Sequence, residues 1–383
     1  MKVLIIGGTG ILSSAVVGEC INKGYDVTMI NRGKNTLFIN PKATLIKCDI
    51  YDTNAVRKNL DGKHYDSVID FLVRTKKEIE YSISLFGNIA DQYIFISSAQ
   101  AYNTSIKGVL TEQSELTQSL WAYSVNKVIC EKYVEKKCKE LNRFYTIIRP
   151  GVNYGNTRIP YGMFPFIGSH WTMVSRIKAG KPIITWNKGQ NRLNLTRVED
   201  FAEGSVGLIG NPKAYNDVFN VVGDYVYSWQ EVLDTLGQLI GCEVETIEIP
   251  VEFYANELDG DTREGLLGGR ANDLVCSNEK MKSVVPYYKT RFTLEDGLRQ
   301  TLDFYQNNDF YMGFDYNWDG ETDRVIKNYL ESINKDFRPF VKFVNYENKG
   351  IIDDNYRQYK NGYYKNNKKN EFKRIIYSKL RIS

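Results

Sequence analysis

Histidine and cysteine are too scarce in this chain to build metal chemistry. Only His64 and His170 are present, with six cysteines, none of them spaced as CxxC, in 383 residues. A zinc site needs several such ligands at short spacings, and a disulfide scaffold needs denser cysteine, so neither is expected. Free thiols in a reducing compartment fit Cys20, Cys48, Cys130, Cys138, Cys242 and Cys276. No apolar run approaches the roughly 18 residues that span a bilayer. Met1-Lys2 leads straight into Val3-Leu4-Ile5-Ile6, too short for a signal-peptide core and already readable as a buried strand. A cytoplasmic protein is expected.

A strong charge of one sign is also missing from most of the chain. The net charge is +4, but residues 341–383 hold eleven Lys/Arg against four Asp/Glu, which leaves the rest mildly acidic. That is not the footprint of a nucleic-acid-binding fold. The basic tail, with Lys365, Lys368, Lys369, Lys373 and Arg374 among Tyr and Asn, reads first as a solvated or oligomer-contacting extension. Contact with RNA or an anionic surface is the second reading. What is present is ordinary globular material, 42% hydrophobic and 25% charged, which excludes disorder throughout.

The first half alternates apolar runs with amphipathic stretches. Strands are predicted at Lys2–Ile6, Asp26–Asn31, Thr44–Cys48, Ser67–Phe71, Gln92–Ser97 and Tyr145–Arg149. Helices are predicted near 11–23, 53–60, 76–89 and 120–141. This rhythm builds right-handed βαβ units, so the expected fold is α/β, a Rossmann-type doubly wound parallel sheet over residues 1–150. After Pro150 the alternation breaks down. A smaller α+β substrate-binding region is placed at 151–305, parts of which return to the sheet, and a C-terminal appendage at 306–383. Ser228 with Glu231 reads as a capping box opening a helix to about Ile240, closed by Gly241. Thr293 with Asp296 opens another, to about Tyr305.

The first strand runs directly into Gly7-Gly8-Thr9-Gly10-Ile11-Leu12-Ser13 and then into a helix. Gly7 permits the tight turn, Gly10 lets the backbone approach a diphosphate, and the helix start offers N–H groups and a positive dipole end. Strand, turn and helix in this order form a dinucleotide-binding signature. The second strand ends at Asn31-Arg32, where an acidic residue would select NAD; a neutral and a cationic residue suit a 2′-phosphate, so NADP(H) is favoured and NAD(H) remains open.

Tyr123-Ser124-Val125-Asn126-Lys127 starts the fourth helix, so Tyr123 and Lys127 share a face. An ammonium beside a phenol favours the phenolate and makes Tyr123 a usable acid/base. Among 27 tyrosines such a pair means little alone, but it falls between the fifth and sixth strands. Ser98 follows the apolar strand Tyr93-Ile94-Phe95-Ile96, at the carboxyl edge where parallel sheets bind ligands. Strand-end capping would explain Ser97 and Ser98 equally well without the other motifs.

With these motifs in order, the chain resembles the extended short-chain dehydrogenase/reductase family of sugar-nucleotide epimerases, dehydratases and ketoreductases. The likeness is carried by GGTGILS at 7–13, Cys48-Asp49-Ile50, SSAQAY at 97–102, YSVNK at 123–127 and RPGVNYG at 149–155. Thr196-Arg197-Val198-Glu199-Asp200-Phe201 and Phe292-Thr293-Leu294-Glu295-Asp296-Gly297-Leu298 extend it over about 1–305. The resemblance implies Ser98, Tyr123 and Lys127 as the catalytic set. It implies cofactor contacts from Gly7, Thr9, Gly10, Ile11, Leu12, Asn31, Arg32, Asp49, Ile50, Phe71 and Lys127, with Asp49 reaching the adenine. Asn153 and Tyr154 fall where the substrate pocket begins, and Arg192 or Arg197 would hold the diphosphate. Met163, Phe164, His170, Trp171 and Trp186 complete the candidate pocket, although the tryptophans also suit a core and His170 suits packing.

The chain departs from the family pattern in places. Ser13 replaces the third glycine, which is expected to loosen helix-to-sheet packing slightly. Ala99-Gln100 stands where 4,6-dehydratases carry an acid and a base, so dehydration is disfavoured. Neither Arg192 nor Arg197 is in clean register. The expected activity is hydride movement at C4 of a nucleotide-activated sugar, as 4-ketoreductase or 4-epimerase, in a homodimer without metal. A catalytically weak dinucleotide-binding sensor or RNA-binding scaffold is the alternative.

Overall fold

The computed structural model describes residues 1–117, 119, 121–160, 169–308, 313–346 and 352–365. Met163, Phe164 and the tail cations from Lys368 onward lie outside these residues. The chain divides into two compact units: Met1–Gly155, Leu193–Val226 and Leu274–Thr293 form one, and Asn156–Arg192, Tyr227–Asp273 and Leu294–Ser383 the other.

The first unit is a seven-stranded parallel sheet. In chain order it uses β1 (Lys2–Ile6), β2 (Asp26–Asn31), β3 (Thr44–Lys47), β4 (Tyr65–Asp70), β5 (Ala90–Ile96) and β6 (Phe144–Pro150), joined by α1 (Ile11–Asn22), α2 (Thr53–Leu60), α3 (Lys76–Phe86) and α4 (Ala122–Glu140). The strand Asp217–Val221, from the region expected to bind substrate, adds the seventh beside β6. The spatial order is this strand, then β6, β5, β4, β1, β2 and β3, so the winding reverses between β1 and β4. Open α/β sheets bind ligands at that reversal, outside the carboxyl ends of the strands.

The sequence dictates this because its strands are apolar on both faces. Side chains alternate across a strand, so Val3 and Ile5 point to one face and Leu4 and Ile6 to the other, and all four are fully buried. One face packs Val16, Val17 and Cys20 of α1 with Phe201, Ala202 and Val206 of the helix Val198–Gly207. The other packs Val56, Leu60, Ile79, Ile83, Cys130 and Val134 from α2, α3 and α4. Burial pushes the thiols of Cys20, Cys130, Cys138 and Cys276 up to about 12. These cysteines behave as small hydrophobes rather than nucleophiles.

The second unit is mainly helical. The capping box at Ser228 and Glu231 opens the helix Trp229–Ile240 as read from the sequence, and Leu294–Asn307 follows later. The helix Tyr316–Ser332, in the segment taken for an appendage, is part of the core of this unit: Tyr316, Trp318, Asp319, Asp323 and Ile326 are buried. Four fully buried charges meet there. Arg176 lies 2.6 Å from Asp319 and 2.7 Å from Asp323, and Lys181 lies 2.6 Å and 2.9 Å from the same carboxylates. The set is charge-neutral, which is what makes its burial tolerable. Tyr346 and Tyr359 add their hydroxyls to Asp319 and Asp323 at 3.2 Å and 2.7 Å. Among the described residues no helix is long and apolar enough to cross a membrane.

Candidate active site

The turn after β1 is held in a conformation that only glycines adopt without strain. Gly7 and Gly8 have φ of +109° and +80°, a conformation that strains any residue with a Cβ. A Cβ on Gly8 would also lie 2.8 Å from Met29 Sδ, so the glycine passed over in reading the motif is the tightest of the three. Gly10 sits at the surface and caps α1, its carbonyl accepting from Ser14 N–H at 2.9 Å. The first-turn amides of Ile11 and Leu12 have no intrahelical acceptor, and both residues are only partly buried. A diphosphate would fill this cradle. Ser13 does not loosen the packing as expected. It is 2% exposed, and its Oγ accepts Gly10 N–H at 2.9 Å, fixing the glycine it follows.

At the end of β2, Asn31 is already committed. Its amide donates to Gly7 O at 2.9 Å, and its Oδ1 accepts Gly33 N–H at 2.8 Å, tying the glycine turn to the loop that follows. Arg32 is exposed, and the stem of Lys47 lies against Gly33, placing a second cation on this edge. Asn35 braces Thr9 O at 3.1 Å. Asp49 is exposed and its Oδ1 accepts Tyr51 N–H at 3.0 Å, while Ile50 O accepts from Tyr81 at 2.8 Å. Phe71 follows β4 half-buried, with its Cβ 3.7 Å from where a Gly7 Cβ would stand.

Tyr123 and Lys127 share one face of α4, as their spacing requires. The Lys127 ammonium is 5.9 Å from the Tyr123 ring centre and 4.9 Å from that of Phe95. Lys127 is 5% exposed and donates to Val73 O and Ile96 O, both at 2.8 Å. Burial is the main reason its ammonium is pushed down to about 8. Ser98 lies two residues beyond that Ile96 carbonyl, buried, with Oγ accepting Gln100 N–H at 3.1 Å and its own proton left to donate.

The substrate candidates divide between the units. Asn153 and Tyr154 are buried in the first, on the short strand Val152–Tyr154 that runs parallel to Leu195–Arg197. Asn153 donates to Gly151 O at 2.9 Å, and its buried Oδ1 finds no hydrogen-bond partner among the described residues. Gln100 Oε1 is orphaned in the same way. Arg197 is 2% exposed, stacks 5.7 Å from Tyr154 and 5.5 Å from Phe292, and lies 2.9 Å from Glu199, so its charge is already balanced. Arg192 is exposed in the second unit, its N–H held by Asp273 at 2.9 Å. In that unit Trp171 and Trp186 are core residues, and burial pushes His170 down to about 4. Among the described residues no three His, Cys, Asp or Glu gather to hold a metal.

Sequence reading missed the residues that hold this site in place. Glu131, one turn beyond Lys127, accepts from Ser97 Oγ at 2.5 Å and from Arg149 at 2.9 and 2.5 Å, clamping α4 to the ends of β5 and β6. Asp70 closes β4 fully buried. A carboxylate inside the apolar run Ser67–Phe71 was the available signal.

The model of the NAD dependent epimerase/dehydratase family matches residues 3–222. The chain is 27% identical over 318 residues to the chloroplast stem-loop binding protein of 41 kDa b of Arabidopsis thaliana, covering 79% of each. It is 26% identical to UDP-glucose 4-epimerase of Lactobacillus helveticus, covering 77% of this chain and 94% of that one. UDP-glucuronic acid 4-epimerase from Bacillus cereus, solved in complex with UDP-glucuronic acid and NAD, superposes with a TM-score of 0.64 at 19% identity over 80% of this chain and all of that one. Epimerase Mth375 from Methanothermobacter thermautotrophicus gives 0.66 at 16%, over 81% and 94%.

Proposed function

We propose that this chain, which belongs to the NAD dependent epimerase/dehydratase family, moves hydride at C4 of a nucleotide-activated sugar as a 4-ketoreductase or 4-epimerase. The observation that carries the proposal is the buried Lys127 ammonium 5.9 Å from the Tyr123 ring, beside a glycine cradle open to a diphosphate. A nicotinamide dinucleotide, when bound, supplies and accepts the hydride. The chain does the rest. Lys127 stabilises the Tyr123 phenolate, so Tyr123 takes the C4 hydroxyl proton on oxidation and returns it on reduction. Ser98 donates to the same oxygen and holds it in place. The orphaned oxygens of Gln100 and Asn153 are acceptors that sugar hydroxyls would satisfy.

Solved relatives hold NAD. In this chain the exposed Arg32, with Lys47 on the same edge and no carboxylate in the Asn31 slot, supports acceptance of a 2′-phosphate. Mass spectrometry of the dinucleotide released on denaturation, followed by NADH and NADPH titrations of the emptied protein, tests the reading. Retained NAD⁺ supports the epimerase, and an empty protein preferring NADPH supports the ketoreductase. Failure to bind either overturns the proposal. A homodimer in the cytoplasm completes it, with sedimentation as the check on assembly.

A second reading is favoured by one observation, the likeness to a stem-loop binding protein. In that reading the chain is an RNA-binding scaffold on a dinucleotide fold. Retention of an RNA stem-loop in ~200 mM salt, unchanged by Tyr123→Phe, would support it over the enzyme.

A further inference from the structure

We propose that Asp70 is a positioning residue for Lys127: its buried carboxylate fixes the loop Phe71–Val73, whose last carbonyl holds the ammonium, and its charge keeps that ammonium protonated. The proposal rests on Lys127 being the group that activates Tyr123.

Asp70 is fully buried, and the groups that favour its charged form are hydrogen-bond donors rather than cations. Burial raises its proton affinity. A carboxylate in such a place needs either dense hydrogen bonding or a reason to be charged. The hydrogen bonds are there. Oδ1 accepts Leu72 N–H at 2.8 Å, the Val73 N–H also bonds the carboxylate, and Oδ2 accepts from Tyr93 at 3.0 Å and from Ser82. Two of these donors are backbone amides of the loop itself, so the carboxylate sets the loop's course.

That loop touches both halves of the site. Leu72 Cδ2 stands 3.3 Å from where a Gly7 Cβ would be, so the loop backs the phosphate turn. Val73 O takes a Lys127 proton at 2.8 Å. The path from Asp70 to Lys127 therefore runs through one residue, Val73, whose N–H bonds the carboxylate and whose carbonyl holds the ammonium.

The charges around Lys127 leave this role to Asp70. From α4 itself come Cys130 and Glu131, from the end of β4 comes Asp70, from the loop after it Arg74, and the rings of Phe95 and Tyr123 close the pocket. Cys130 is pushed up to about 12 by burial and is a neutral thiol at working pH. Glu131 is neutralised by Arg149 at 2.5 Å. Arg74 opposes a second positive charge. Asp70 is the remaining acidic group favouring the ammonium against desolvation.

The test is a pH titration of the full-length protein labelled with ¹³C at the lysine Cε, the Lys127 signal being assigned with Lys127→Met. The wild-type signal is expected to titrate near pH 8. Asp70→Asn keeps an oxygen for the two loop amides but removes the charge. It should bind the dinucleotide within about threefold of wild type and lower the Lys127 midpoint by ~1 pH unit. Asp70→Ala, which also removes the loop anchor, should weaken dinucleotide binding by tenfold or more. An unchanged Lys127 midpoint in folded Asp70→Asn overturns the proposal. Should that variant not fold, Lys127→Met reports the reciprocal coupling: the Asp70 carboxyl, followed by its own ¹³C signal, must then titrate at higher pH than in wild type, and no change there is equally fatal. Both readouts are independent of turnover, so a shifted Lys127 in a protein inactive on every keto sugar would overturn the functional reading and leave this one standing.

Discussion

Replacing Asp319 by alanine should nearly unfold the second unit. Asp319 is 0% exposed and holds two cations, Arg176 at 2.6 Å and Lys181 at 2.6 Å, with the Tyr346 hydroxyl at 3.2 Å. Removing it leaves a buried set of two cations and one anion. Breaking a buried pair from one side costs about 3–5 kcal/mol, because the abandoned charge stays desolvated. With two cations affected the upper end applies, a factor of roughly 5 × 10³ in the folded-to-unfolded ratio and a large part of a typical total of 5–15 kcal/mol. Urea unfolding followed by tryptophan fluorescence is a suitable assay, since the buried Trp318 adjoins the site. Substituting Asp336, which pairs with Arg338 at 2.8 Å on the surface, is the control and should leave the transition in place. Replacing all four charges together, as Arg176→Met, Lys181→Met, Asp319→Leu and Asp323→Leu, should recover most of the loss, because no charge is then left unpaired. A cost below about 1 kcal/mol for Asp319→Ala would refute the reasoning, as would a fourfold variant less stable than the single one.

Other consequences follow from the site and its supports. Tyr123→Phe should lower turnover on a 4-keto sugar by about 10²–10⁴ while dinucleotide binding, read by calorimetry, stays within a few-fold. Gly8→Ala combines a left-handed φ with a Cβ 2.8 Å from Met29 Sδ, and should cost about 1–3 kcal/mol in thermal unfolding and weaken cofactor binding with it. Arg32→Ala should reduce NADPH affinity about tenfold and leave NADH affinity unchanged; equal losses would show that Arg32 does not read the 2′-phosphate. His170, pushed down from 6.5 to about 4 by burial, is neutral when folded. The unfolded chain therefore binds its proton first as pH falls, so stability present above 6.5 is lost between 6.5 and 4, by up to about 3 kcal/mol, and His170→Asn should flatten that slope in urea titrations.

Much of the first unit was legible because its signals are local. A strand buried on both faces must be a continuous apolar run, so Val3-Leu4-Ile5-Ile6 and its counterparts announced themselves, and the ends of β1 and β2 agree with their predicted ends. The glycine turn and the Tyr123/Lys127 spacing are equally local, one set by backbone conformation and the other by helical period. Ser13 shows the limit. Its departure from a glycine pattern suggested loosened packing, whereas at the helix start its Oγ accepts the Gly10 N–H at 2.9 Å.

What the sequence determined by itself was the order of strands and helices, the glycine turn and the Tyr123/Lys127 spacing, each encoded within a few consecutive residues. The tertiary structure decided everything that depends on distant residues meeting. It carried the strand Asp217–Val221 back to the sheet beside β6. It made the segment after residue 306, read as an appendage, the partner of Arg176 and Lys181, because buried charges are tolerated only where opposite signs converge. It also brought the Val73 and Ile96 carbonyls to Lys127. Hydrogen bonds and desolvation act through space, and the chain's order does not record which groups will share it.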